Sequence, residues 1–162
     1  MTAESKELKP RLARLEMVYV RSPVYFVTAC TENRRPILAN ESIHQSFIDF
    51  ATRGEKLGAW VGRYVLMPDH LHLFVSLDDE RRMLERWVKS LKNTLSKSLR
   101  SQGMCAPHWQ KTFFDHVLRS GESYSRKWEY VRANPVRAKL VVEAETWPYA
   151  GEIFPLEFRK GS

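Results

Sequence analysis

The chain has 162 residues, enough for one domain with a real core and short for two. Hydrophobic residues make up 43% of it, which excludes intrinsic disorder for the chain as a whole. No apolar run approaches the ~18 residues of a membrane helix. Lys and Arg number 26 against 19 Asp and Glu, a surplus of +7 that favours a polyanionic partner. The opening stretch from Met1 to Pro10 lacks the apolar core of a secretion signal, so a cytoplasmic protein is expected, with Cys30 and Cys105 as free thiols.

Residues 1–20 mix charges without a period and read as an N-terminal arm. Val24–Cys30 is rich in β-branched and aromatic residues and predicts a strand. The basic stretch 31–36, with Arg34 and Arg35, predicts a loop. A helix is expected over 41–54, where Ile43, Phe47, Ile48 and Ala51 recur at helical spacing and Gly54 supplies a stop. Ala59–Leu66 and His70–Leu77 read as two strands of a hairpin joined by Met67, Pro68 and Asp69. Pro68 has no N–H for a ladder and belongs at the turn.

Residues 81–100 carry the clearest helical pattern, with Leu84, Trp87, Val88, Leu91, Leu95 and Leu99 as the apolar stripe. Arg82, Arg86, Lys89, Lys97 and Arg100 run along another face. Seven basic residues stand here against one acid, Glu85, so most of the surplus charge sits on one helix. That face is either simply solvated or a surface that tracks phosphates. Residues 101–107 read as a loop and 109–118 as a short strand or helix. A helix over 120–134 has Ser120 as its cap and Glu122 in its first turn, and Pro135 sets its end. The expected body of the domain is 21–150, with 151–162 as a C-terminal tail.

Two constellations could carry chemistry. His70 and His72 are two apart on a strand, so both imidazoles project from one face while Leu71, Leu73 and Val75 supply core from the other. Such a pair is a natural divalent-metal site, and it also occurs on strands by chance. Tyr130 and Asn134 are four apart and share a helical face. Tyr124, Trp128 and Val131 form the buried stripe, and Tyr130 falls off it. It is then either a partly exposed structural tyrosine or a hydroxyl free to reach a site. Read together, the four residues describe a metal held by two imidazoles and an amide oxygen, with room for a phosphate. The phenol would attack the phosphorus. Phenols ionise near pH ~10, so the attack needs help from the metal, a base or a water.

These residues match a known family. His70-Leu71-His72, following Met-Pro-Asp, resembles the His-hydrophobe-His signature of the HUH single-tyrosine transposases. The segment from Trp109-Gln110 to Asp115-His116-Val117-Leu118-Arg119 resembles their Trp-Gln…Asp-His-x-hydrophobe-Arg phrase. Tyr130-Val-Arg-Ala-Asn-Pro-Val136 resembles the tyrosine helix of the branch called REP-associated tyrosine transposases, and Trp147-Pro148-Tyr149 resembles that branch's tail. The matches run from Tyr25 to about Tyr149. The sequence departs from the pattern at Arg21 to Val24 and at Lys139, where relatives often carry glycine.

The resemblance implies a single compact α+β domain, an antiparallel β-sheet flanked by helices in a ferredoxin-like palm. It implies that His70 and His72 hold Mg²⁺ or Mn²⁺, with Asn134 as a third, polar ligand. Of the two ions, Mn²⁺ accepts imidazole more readily. Tyr130 would be the nucleophile on single-stranded DNA with imperfect hairpins, leaving a 5′-phosphotyrosine link and a free 3′-OH. Relatives act as monomers or as homodimers, and the sequence does not choose. Backbone contacts are expected from Arg34, Arg35, Arg82, Arg86, Lys89, Lys97, Arg126 and Lys127. Trp60 and Trp109 are stacking surfaces for bases, whereas Trp87 belongs to the core. His44, His108 and His116 read as structural. Two other functions fit the same residues: a non-catalytic protein that binds DNA hairpins, and a metal-dependent phosphodiesterase in which water attacks.

Overall fold

Strands with side chains buried on both faces build the centre of the molecule. In the computed structural model, which describes residues 18–20, 23–78 and 81–158, the strands are β1 (Val18–Val20), β2 (Val24–Cys30), β3 (Ala59–Leu66), β4 (His70–Leu77), β5 (Phe114–Leu118), β6 (Ala150–Glu152) and β7 (Leu156–Phe158). The helices are α1 (Glu41–Arg53), α2 (Arg81–Ser101), α3 (Gly121–Arg132) and the single turn α4 (Asn134–Arg137). The expected arm before Val18, Arg21, the chain after Phe158 and the Arg82 side chain lie outside the described residues.

Five strands form an antiparallel sheet in the order β5-β2-β4-β3-β6. The β3–β4 hairpin is closed where Met67 N–H donates to the His70 carbonyl at 2.8 Å, with Pro68 in the turn as expected. β4 is central, and Leu71, Leu73 and Val75 face one side while His70, His72 and Phe74 face the other. α1 and α2 cover the first side, and Ile43, Phe47, Ala51 and the whole stripe from Leu84 to Leu99 are buried there. Asn40 caps α1 by accepting from Ile43 N–H at 3.0 Å. α3 covers the second side. Its cap is Ser120, which accepts from Ser123 N–H at 3.1 Å, and Tyr124 and Val131 pack there with Val24, Phe26, Phe74 and Leu118. Cys30 is buried, Cys105 is exposed, and no disulfide joins them. Among the described residues no helix is long and apolar enough to cross a membrane.

Three expectations are corrected or extended. The basic loop after β2 contains a tight 3₁₀ turn, Glu32–Arg34, with Asn33 and Arg34 at φ 57° and 52°. Beyond the helix that ends at Arg132, just before Pro135 as expected, the chain makes a further turn, α4, with Pro135 in its first turn, where its missing N–H has no intrahelical partner to lose. Residues 151–158 are not a loose tail, because Ala150–Glu152 pairs with β3, Leu156–Phe158 pairs parallel to β1, and Phe154 and Leu156 are buried.

Candidate active site

The two imidazoles are fixed from behind. Asp69 Oδ1 lies 2.8 Å from His70 Nδ1. An ionised carboxylate only accepts, so His70 Nδ1 carries a proton, and in the neutral ring the lone pair is on Nε2. The other oxygen, Asp69 Oδ2, accepts from Arg34 Nε at 2.9 Å. Burial pushes the Asp69 carboxyl up, but the hydrogen bonds from Arg34 and His70, with their charges, outweigh it and hold it below its usual value. His72 is held through Nδ1 by the Thr28 hydroxyl at 2.8 Å and is stacked on Phe26 at 5.2 Å between ring centroids. The two imidazole centroids are 4.7 Å apart. Burial, aided by the charges of His70, Lys127, Arg137 and Arg34, lowers the His72 pKa to about 3. His72 is therefore neutral near pH 7, the form that ligates a metal.

The tyrosine arrives on the helix that covers this face. Tyr124 packs tilted against Phe74 with centroids 4.7 Å apart, and its hydroxyl accepts from the Arg63 backbone N–H at 3.0 Å. With that stripe turned inward, Lys127 and Tyr130 of α3 are followed at spacings of four and three by Asn134 and Arg137 of α4. Lys127 Nζ lies 4.9 Å above the Phe26 ring, beside His72. The Arg137 guanidinium lies 4.1 Å above the Tyr130 ring, and it donates to Asn134 Oδ1. Tyr130 is 63% exposed. A polar line that runs from α3 into α4, carrying a phenol and two cations, thus stands on the side of the sheet that bears both histidines.

A divalent metal fits the donor set. Two imidazoles have their tautomer or orientation set by Asp69 and Thr28, which is how metal-ligating histidines are ordinarily supported. Among the described residues no group of three or more His, Cys, Asp and Glu side chains gathers in one place. Remaining positions would fall to Asn134 or to water and phosphate oxygens.

The expected DNA contacts divide into groups. Arg34 and Arg35 turn onto the protein: Arg34 pairs with Asp69, and Arg35 Nη2 donates to the carbonyls of Cys105, at 2.9 Å, and Pro107. Arg86, Lys89 and Lys97 are exposed on α2, on the face of the sheet opposite the histidines. Arg126 is exposed and paired with Glu122, one turn earlier. Arg34, whose Nη2 lies 3.3 Å from His70 Nδ1, and Lys127 are the described members of this set that lie beside the imidazoles. Trp109 is not a free stacking surface, since its indole N–H donates to Lys92 O and Ser96 Oγ at 3.1 and 3.2 Å. His108 is buried between Ser96 and Met104, and His44 bonds Tyr64 Oη at 2.7 Å. Sequence reasoning missed Asp69, Thr28 and Arg137. Asp69 precedes the first histidine and Arg137 follows Tyr130 at i+7, so both were open to notice, whereas Thr28 depends on strand register.

The arrangement defines a class: a single-domain α+β protein with a His-x-His pair on the central strand of an antiparallel sheet and a tyrosine on the covering helix. The sequence profile of the IS200-like transposases matches residues 20–133, and the chain belongs to that family. It is 21% identical over 154 residues to a Haemophilus influenzae protein named as a candidate REP-associated tyrosine transposase, covering 85% of this chain and 88% of the relative. Among solved structures it is similar to a REP-associated tyrosine transposase bound to a REP hairpin, with a TM-score of 0.61, 22% identity, and 83% of this chain and 79% of that one covered. A candidate transposase of Deinococcus radiodurans gives a TM-score of 0.51 at 17% identity, covering 70% of this chain and 91% of that one. These likenesses agree with the antiparallel palm and flanking helices expected from the sequence.

Proposed function

We propose that this protein is a metal-dependent enzyme that nicks and rejoins single-stranded DNA next to imperfect hairpins, with Tyr130 as the nucleophile. The observation that carries the reading is the shared face. His70 and His72, fixed by Asp69 and Thr28, lie on the side of the sheet covered by the helix that holds Tyr130 exposed. The hairpin in the similar solved complex supports hairpin DNA as the substrate class.

His70 and His72 would hold Mg²⁺ or Mn²⁺, with Asn134 as a third donor once it turns from Arg137. When bound, the metal would polarise the phosphate and offset its developing charge. The residues of the chain do the rest. Lys127 and Arg137 draw the phosphate to the phenol, and the Arg137 cation over the ring supports charge that grows on its oxygen. The Tyr130 oxygen attacks the phosphorus as its proton leaves to water. The P–O3′ bond breaks, and the departing 3′ oxygen takes up a proton. The product is a 5′-phosphotyrosine link and a free 3′-OH. Because that link keeps the phosphodiester bond energy, a second 3′-OH can reverse the step and rejoin strands.

The experiment is a denaturing gel of labelled hairpin DNA with single-stranded flanks, incubated with Mn²⁺ or Mg²⁺ beside Tyr130→Phe. A slow, protease-sensitive labelled band is expected from the wild type alone. At an exposed position the loss of one hydroxyl changes stability by no more than about 0.5 kcal/mol, so the variant should melt normally. Cleavage without an adduct in both proteins would assign the attack to water. Binding without cleavage or adduct would leave a hairpin-binding protein.

A further inference from the structure

The face that bears the histidines continues past them to the sheet edge. β5 is the edge strand, and its register with β2 sets Phe114 opposite Thr28, whose partner on the other side is His72. Residues directly opposite in an antiparallel sheet share a face, so Phe114, Thr28 and His72 form one rung on the side of the tyrosine helix. The pleat agrees: Leu118, four residues along β5, is buried with Val24 and Phe26 under α3. Toward Phe114 that cover ends. Phe114 is 68% exposed, and His116, which pairs with Phe26, is exposed between them.

The core does not use this ring, and its surroundings are cationic. Lys127 stands over Phe26, the cross-strand neighbour of His116, and exposed Lys111 and Arg119 flank β5. Two strand spacings put Phe114 about 10 Å from the imidazole of His72. A flat aromatic surface beside a phosphate site and rimmed by cations is how proteins hold unpaired bases, because every base has a π-face. Paired bases in a stem keep those faces stacked inside the helix.

We propose that Phe114 is a stacking seat for an unpaired base next to the phosphate that lies at His70 and His72. It deepens the proposed function, resting on the reading that this face takes the DNA strand. Phe114 would place the flank of the hairpin and so help choose which phosphodiester reaches Tyr130.

The test uses the Tyr130→Phe protein, which leaves DNA uncut, and hairpin oligonucleotides with 2-aminopurine at successive flank positions. One position should be quenched on binding. Phe114→Ala should restore its fluorescence and weaken binding of the flanked hairpin about tenfold to a hundredfold, with little change for a hairpin lacking flanks. Phe114→Trp should keep both signals. Unchanged quenching and affinity in Phe114→Ala would overturn the seat, and an adduct on Tyr130 would then leave the proposed function standing. Unchanged quenching with an altered oligomeric state would also overturn it, giving the surface to a second copy of the chain. Quenching lost in Phe114→Ala with no adduct from the wild type would keep the seat and remove the nicking chemistry.

Discussion

Asp69 is where local chemistry most directly controls the candidate site. Its two oxygens are shared between a cation and an imidazole: Arg34 holds one at 2.9 Å, and the other holds His70 at 2.8 Å. The loop is pinned besides, since the Thr31 N–H and hydroxyl both donate to the Asp69 carbonyl, at 3.0 and 3.1 Å. A carboxylate so placed fixes the imidazole tautomer and raises its basicity toward a metal. Asp69→Ala is therefore expected to weaken Mn²⁺ binding about 10- to 100-fold, read as free Mn²⁺ by electron paramagnetic resonance. Adduct formation should recover at raised Mn²⁺, because Tyr130 and His72 are untouched. Mn²⁺ affinity equal to that of the wild type would show that the carboxylate is only a loop staple.

At the scale of elements, the placing of the tyrosine helix rests on a missing side chain. Gly62 lies on β3 under α3, where a Cβ would fall on the Tyr124 hydroxyl and on Leu156. Neither neighbour is free to yield, because Tyr124 is packed against Phe74 and bonded to Arg63 N–H while Leu156 is buried. Gly62→Ala should cost about 1–3 kcal/mol, as overpacking does, and lower the melting temperature by several degrees. Adduct yield per folded molecule should fall too, since α3 carries Tyr130. A variant with wild-type melting and yield would mean that the helix shifts at no cost.

The same scale explains which parts of the fold were legible. β2, β3 and β4 stand within the bounds expected from their β-branched, aromatic and apolar runs, and α2 from its stripe, because long segments of one kind carry their own signal. β6 and β7, three residues each, exist only through their partners and read as tail. The helix end before Pro135 was legible, whereas the single turn α4 beyond it was not, because proline forbids a helix interior but suits a first turn. In the candidate site, spacing alone put His70 with His72 and Tyr130 with Asn134. The bonds from Thr28 and Arg34 depend on register and on a left-handed turn, neither of which is a periodic feature.

The molecule as a whole sets its most basic helix apart from its candidate site. The basic helix α2 buries its apolar stripe on the sheet face that carries Leu71, Leu73 and Val75, whereas the histidines and Tyr130 belong to the reverse side. Arg86, Lys89 and Lys97 are exposed there, well away from the imidazoles. A hairpin stem that touched them would gain affinity from counterion release without touching the reacting phosphate. Replacing all three by Gln should then weaken hairpin binding and flatten the plot of log affinity against log salt by about 2 to 3 units of slope, since each lost phosphate contact removes about 0.9. The rate of adduct formation at saturating DNA should stay as it is, because Lys127, beside His72, and Arg137, over Tyr130, are unchanged. A salt slope equal to that of the wild type would make the α2 charges a solvated face and leave stem binding to the side that bears the histidines.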